Sequence, residues 1–292
     1  MILITAATGQ VGSQAAQELL QAGTPVRAFV RDPSRATALS GAEVVAGSFE
    51  DDASLARALD GVDAMLLAGC DSPDAVGQHR RVLDHARRAG VWHIVKLSAI
   101  GAAPDSPVAL MREHHEVDEE VRQGPATWTL LKPHLFMQNL LRAAETARLD
   151  GTVAAPMGDE RFPLVDTRDV GAAAAVVLAD PDAHTGQTYV LTGPAAHTYD
   201  EVAASLSAVA GRPVAYEPVS PEVYEARLLA AGLPDWRAFD LAHIASAYAP
   251  ADRVVTPIVQ QLLGRPPRSL SEFLQDHRDA FHPTNAEPVQ TR

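Results

Sequence analysis

Three features of this chain predict a doubly wound parallel α/β sheet with a smaller, mostly helical C-terminal lobe. The first is the opening run Met1-Ile2-Leu3-Ile4-Thr5-Ala6-Ala7-Thr8-Gly9-Gln10-Val11-Gly12, an apolar strand and a small-residue turn, leading into Ser13 to Leu20, a good helix. The second is the regular return of short apolar runs between helical patterns of about ten to fifteen residues, which is how strands covered on both faces read. The third is the fading of that alternation beyond Thr192-Gly193-Pro194.

Taken in order, Pro25 to Val30 reads as the second strand, Ser34 to Leu39 as a helix and Val44 to Gly47 as the third strand. Ser54 to Leu59 is a short helix and Ala64 to Ala68 a buried strand. Asp74 to Ala89 is a long helix stopped by Gly90, and His93 to Ser98 is the fifth strand. Helix Val108 to Gln123, strand Thr127 to Pro133 and helix Phe136 to Leu149 follow. The apolar segment Pro163 to Asp166, helix Val170 to Leu178 and strand Thr188 to Leu191 complete the alternation. In the last third, Thr198-x-x-Glu201 and Ser269-x-x-Glu272 are capping boxes, and Ser220-Pro221 places a cap before a first-turn proline. The expected division is a Rossmann dinucleotide-binding domain over 1–152, completed by segments within 163–192, and a smaller substrate-binding lobe over 193–292, with the cleft between them.

Composition bounds the function. At 292 residues and 47% hydrophobic content the chain can bury a sizeable core. A formal net charge of −13 argues against nucleic acid and against anionic membranes, both of which are held by clustered basic residues. The longest apolar run, Gly171 to Ala179, is too short to span a bilayer, and no signal peptide is read at the N-terminus. A single cysteine, Cys70, excludes an intramolecular disulfide or a cysteine zinc cluster and suits a reducing compartment, so the expected location is cytoplasmic; the thiol itself reads as packing. No metal site is expected, and the expected assembly is a monomer or homodimer acting on a small molecule.

The first loop carries the cofactor expectation. The first amides of a helix are unpaired and carry partial positive charge, so a pyrophosphate can sit on them where side chains are small. The loop predicts that site over Thr8, Gly9, Gln10, Val11 and Gly12. The glycine that normally opens this loop is Ala6, tolerated on this reading only if its φ is negative. Arg31-Asp32 ends the second strand, where an acid would bind a ribose 2′-hydroxyl and an arginine a 2′-phosphate. Arg31, with Ser34 and Arg35 beside it, favours NADP(H) over NAD(H). Ser48 and Phe49, after strand three, and Ala68 and Gly69, after strand four, complete the expected cofactor edge.

A catalytic pair can be sought by subtraction. Tyr-x-x-x-Lys, the usual short-chain reductase dyad, is absent: the only lysines are Lys96 and Lys132, and four residues before them stand Trp92 and Trp128. On the helix that should present the acid, His114 and Asp118 lie one turn apart, so the carboxylate is expected to orient and charge the imidazole as proton donor. Ser98, ending strand five, is placed to touch a nicotinamide ribose or a substrate carbonyl.

These pieces together resemble the NmrA-like branch of atypical short-chain dehydrogenases/reductases. The resemblance rests on Ile2-Leu3-Ile4-Thr5-x-Ala7-Thr8-Gly9-x-Val11-Gly12, Val30-Arg31-Asp32-Pro33, Gly61-Val62-Asp63, Ala89-Gly90-Val91 and Leu97-Ser98-Ala99-x-Gly101. Thr129 to Pro133 with Phe136-Met137-x-Asn139, and Asp169-Val170-x-Ala172, continue it. Leu262 to Pro266 is similar to the end of its quinone-reductase members. The resemblance implies NADP(H) binding and a substrate pocket walled by the residues after Pro133, with Phe136 and Asn139 facing it. It departs at Ala6, at Ser48-Phe49, where an acid often follows Gly47, and on the Val108 to Gln123 helix, where some relatives carry a lysine. The activity implied is NADPH-dependent reduction of a small aromatic ketone or quinone. A non-catalytic NADP(H)-sensing regulator and a cofactor-independent isomerase or cyclase remain as alternatives.

Overall fold

The computed structural model describes residues 1–69 and 72–282. Cys70 and the residues after 282 therefore lie outside the described residues. Seven strands form one parallel sheet in the order β3-β2-β1-β4-β5-β6-β8: β1 (Ile2–Ile4), β2 (Val26–Val30), β3 (Glu43–Ala46), β4 (Ala64–Leu67), β5 (His93–Leu97), β6 (Thr127–Pro133) and β8 (Gln187–Leu191). The order reverses between β1 and β4, which opens a crevice at their carboxyl ends. Thr5 stitches that crevice shut at its base: its Oγ1 donates to the carbonyls of Leu66 (2.9 Å) and Ala68 (2.6 Å) and accepts the Ala68 amide at 2.8 Å.

Helices cover both faces. On one side α1 (Gln10–Gln21) and α6 (Thr167–Ala179) pack against Ile2, Ile4, Ala28 and Leu66. Gly171 makes that contact close, since a Cβ there would lie 2.6 Å from Gln14 Cβ and 2.8 Å from the Val11 carbonyl. On the other side α2 (Asp52–Leu59), α3 (Ala75–Ala89) and α4 (Ala109–Gln123) bury Leu55, Val82, Leu83, Val117 and Val121 against Leu3, Met65, Ile94 and Leu130. Gly90, at φ +79°, ends α3 in the left-handed conformation expected of a terminating glycine.

The lobe holds α8 (Tyr199–Ala210), α9 (Pro221–Ala230), α10 (Asp235–His243), α12 (Leu270–Asp276) and α13 (Arg278–Phe281). Both capping boxes and the Ser220 cap form as the sequence predicts. A parallel pair, β7 (Thr152–Ala155) with β9 (Ala215–Pro218), was not expected. The predicted helix over 136–149 divides into a 3-10 turn (Met137–Ala143) and a short α5 (Ala144–Leu149), and only Pro33–Ala36 of the segment after β2 turns helically. The connection after α6 adds α7 (Pro181–His184).

The apolar clusters cross the expected lobe boundaries. Met137, Leu140, Ala147, Val153 and Phe162 pack with Phe273 and Phe281 of the lobe. Val259 of α11 (Ile258–Leu263) returns to the main sheet. Asp169, fully buried on α6, holds that return: its carboxylate accepts from Arg265 Nη2 (2.8 Å), from the Arg268 amide (2.6 Å) and from the Arg268 guanidinium. Among the described residues no helix is long and apolar enough to cross a membrane.

Candidate active site

The loop after β1 makes a tight turn in which the Gly9 amide donates to the Ala6 carbonyl at 2.8 Å. Ala6 has φ +47°, so the expectation of a negative φ is overturned. The turn demands the left-handed conformation whatever residue occupies it, and Ala6 bears the cost of its Cβ there. Gly12 faces the same turn, and a Cβ on it would stand 2.4 Å from the Ala6 carbonyl oxygen and 3.2 Å from Ala7 Cα. Helix α1 begins at Gln10 with no side-chain cap and no acid in its first turn. Its amides thus face a small-residue cradle, Thr8-Gly9-Gln10-Val11-Gly12, that fits a pyrophosphate.

At the end of β2, Arg31 is exposed. It does not pair with Asp32, whose carboxylate instead accepts the Ser34 amide (3.0 Å) and the Ser34 hydroxyl (2.7 Å), capping the short turn that follows. Arg35 is exposed beside it. At the end of β3, Ser48 Oγ accepts the Glu50 amide at 3.3 Å. The Phe49 ring lies parallel to Phe29 at 6.1 Å and edge-on to His79 at 5.9 Å. Gly69 is pressed against the same histidine: a Cβ there would lie 2.8 Å from His79 Nε2.

The proton-handling groups are paired differently from expectation. Asp118 does not reach His114; its Oδ2 accepts from Ser98 Oγ at 2.7 Å and pairs with Lys132 Nζ at 3.1 Å. His114 Nδ1 lies 3.2 Å from Lys96 Nζ, which also donates to the Leu97 carbonyl at 2.5 Å. The reason is the strand geometry: Lys96 on β5 and Lys132 on β6 both project toward α4, and the two ammonium groups divide the acceptors there between them. An imidazole beside an ammonium is not charged. Burial, then the neighbouring Lys96 and His79, hold His114 well below its ordinary value. Burial likewise pushes Lys96 down to about 8, against the pull of Asp118, and His79, whose Nδ1 donates to the Ala75 carbonyl, to about 4.

Sequence reading passed over Lys96, Lys132 and His79. The signal was present: both lysines of the chain sit in consecutive buried strands, at positions that face the same side of the sheet.

A cleft of about 920 Å³ brings together Gln10, Gly69, Ser98, His114, Pro133, Phe136 and Asn139 of the predicted residues, whereas Thr8, Gly9, Val11, Gly12, Arg31, Ser34, Arg35, Ser48, Phe49, Ala68 and Asp118 lie outside its lining. It starts at Gln10 and Gly69, passes Lys96, Ser98 and His114, and continues along Pro133, Phe136 and Asn139 to Tyr199, Tyr224 and Tyr248. His134, buried and stacked on Tyr248 at 4.6 Å, also borders it.

Fold and loop together define a dinucleotide-binding protein of the doubly wound α/β class. Residues 1–274 match the NmrA-like family, and the chain belongs to it. It is similar to an NAD(P)H azoreductase of Xenophilus azovorans, 38% identical over 96% of this chain and 99% of the relative. It is also similar to a (4-alkanoyl-5-oxo-2,5-dihydrofuran-3-yl)methyl phosphate reductase of Streptomyces griseus, 39% identical over 97% and 100%. Among solved structures, the NADPH-dependent quinone oxidoreductase of Escherichia coli complexed with NADPH matches with a TM-score of 0.86 and 32% identity, covering 95% of this chain and 99% of that one.

Proposed function

We propose that this protein is an NADPH-dependent oxidoreductase that reduces quinone-like acceptors in the cleft between sheet and lobe. The observation that carries the reading is the continuity of one cleft from Gln10 of the phosphate cradle and Gly69 after β4, past Ser98 and His114, to an aromatic wall. The uncapped amides of α1 hold the pyrophosphate, and Arg31, with Ser34 and Arg35 on the same edge, receives the 2′-phosphate. Ser48 and Phe49 flank the adenine, and Ala68 and Gly69 let the backbone approach the dinucleotide. Bound NADPH supplies the hydride.

What the chain adds is position and a proton. The walls of Phe136 and Asn139 orient a flat acceptor. Lys96 donates to His114 Nδ1 and so fixes the imidazole proton on Nε2. As that Nε2 proton passes to the developing phenolate oxygen, Nδ1 takes one from Lys96, and the imidazole stays neutral throughout. Ser98, bonded to Asp118, keeps its lone pairs for a donor in the cleft. Because the relay draws on a lysine held near 8, turnover falls as pH rises past that value.

NADPH oxidation followed with a panel of benzoquinones and naphthoquinones tests the reading. Turnover is expected with NADPH, and Arg31→Ala should raise the NADPH KM about tenfold while leaving NADH nearly unaffected. Cofactor binding without turnover on any acceptor would move the protein to the sensor alternative. A cytoplasmic location accords with the single cysteine.

A further inference from the structure

The lobe end of the cleft is basic and phenolic in a protein whose net charge is −13. Four charged side chains on the wall of the whole cleft are cationic, Lys96 toward the sheet and Arg142, Arg227 and Arg237 toward the lobe, against a single acid, Glu113, and Arg237 and Glu113 each have a partner. Arg227 is already matched by Glu217, at 3.2 Å and 2.7 Å, and Lys96 by His114 and the Leu97 carbonyl. Arg142, exposed at the rim where the 3-10 turn after Phe136 ends, has no ion pair or hydrogen bond among the described residues. Its charge acts on Tyr224 across the cleft wall.

Tyr199 lies beside Tyr224 on the same stretch of wall. Neither hydroxyl has a hydrogen-bond partner among the described residues, and neither is sealed from open space. Burial raises both phenols above their ordinary values, so they are donors at any physiological pH. Two O–H donors and a guanidinium, none with a protein partner among the described residues and with Glu113 the one acid on the cleft wall, form a surface suited to an acceptor of negative charge.

We propose that Arg142, with the hydroxyls of Tyr224 and Tyr199, is an oxyanion subsite that receives an acidic oxygen substituent, carboxylate, sulfonate or phosphate, on the electron acceptor. The inference deepens the reductase reading and rests on it for the identity of the ligand as acceptor. The subsite selects among flat acceptors of equal size by charge. It leaves the reacting end free to lie toward His114.

Binding to the NADP+-saturated protein separates the two readings, because it needs no turnover. Naphthalene-2-sulfonate and naphthalene-2-sulfonamide match in shape and differ in charge, and calorimetry should give the sulfonate about fivefold tighter binding, the size of one solvent-screened charged contact. Arg142→Gln should bring the two ligands to equal affinity, and Tyr224→Phe should narrow the gap. Raising ionic strength from about 0.01 M to about 1 M, which shortens the screening length from about 30 Å to 3 Å, should weaken only the sulfonate. Equal affinities in the native protein, or a sulfonate preference that survives Arg142→Gln, overturns the subsite. Charge-selective binding without reduction of any quinone leaves the subsite standing and overturns the reductase reading.

Discussion

Ala6 is the only described non-glycine residue with positive φ, and it stands at the head of the loop proposed to hold the cofactor. Its left-handed backbone costs on the order of 1 kcal/mol relative to a glycine, less the greater chain entropy that glycine loses on folding. Ala6→Gly should therefore raise the unfolding free energy by roughly 0.5–1 kcal/mol, seen as a higher urea midpoint at unchanged slope. A lower midpoint would show that the methyl group makes contacts worth more than the strain. At this scale the sequence is partly legible. The turn into α1, the place of Arg31 just after β2 and the presence of His114 and Asp118 on one helix could be read from spacing. Their partners could not, because Asp118 lies one turn from His114 along α4 yet is captured by Ser98 and Lys132 from neighbouring strands. With 22 arginines and only two lysines, the placing of both lysines in β5 and β6 was the available hint.

Helix α4 carries both His114 and Asp118, yet its own Ncap, Val108, supplies no side-chain cap. The lobe supplies one instead: Asp240 on α10, buried, accepts the Ala109 amide at Oδ1 and the Leu110 amide at Oδ2, each at 2.9 Å. A carboxylate from another element thus satisfies two orphan donors and sits on the positive end of the helix dipole. Asp240→Ala should cost about 2 kcal/mol of stability in urea unfolding, with Asp240→Asn, which keeps one acceptor, costing less. No local signal marks this cap, since its partners are about a hundred and thirty positions apart in the chain. The strands of the main sheet were legible for the opposite reason, each being an apolar run bounded by turn residues. β7 and β9 escaped because Thr-Val-Ala-Ala and Ala-Tyr-Glu-Pro are short and weakly apolar. The 3-10 turn after Phe136 escaped because helical periodicity alone does not distinguish it from an α-helix over seven residues.

Across the whole molecule the two cores interleave, so sheet and lobe should unfold together, and the groups buried in both set one common response to acid. His79, at the sheet edge of the cleft, is held at about 4 by burial and by Lys96. His93, on β5, is held at about 4 by burial. His134, between Phe162 and Tyr248, is held at about 3 by burial and by Arg253. In the unfolded chain each returns to about 6.5. A histidine depressed in the folded state contributes its full stability above the unfolded value and loses it as pH falls toward the folded one, since only the unfolded chain takes up the proton. Between about pH 6 and pH 4.5 these three, with His114 held down beside Lys96, make unfolding bind up to four protons, a slope of roughly 5 kcal/mol per pH unit at the limit. The lowered carboxyls of Asp166 and Glu201 add to the loss below that window. Urea unfolding measured at intervals from pH 7 to pH 4 should show this fall in a single transition. Replacing His134 by leucine, which removes the most depressed of the three, should flatten the slope by about one proton. A stability curve that stays level down to pH 5 would mean that these imidazoles are solvated and not buried neutral.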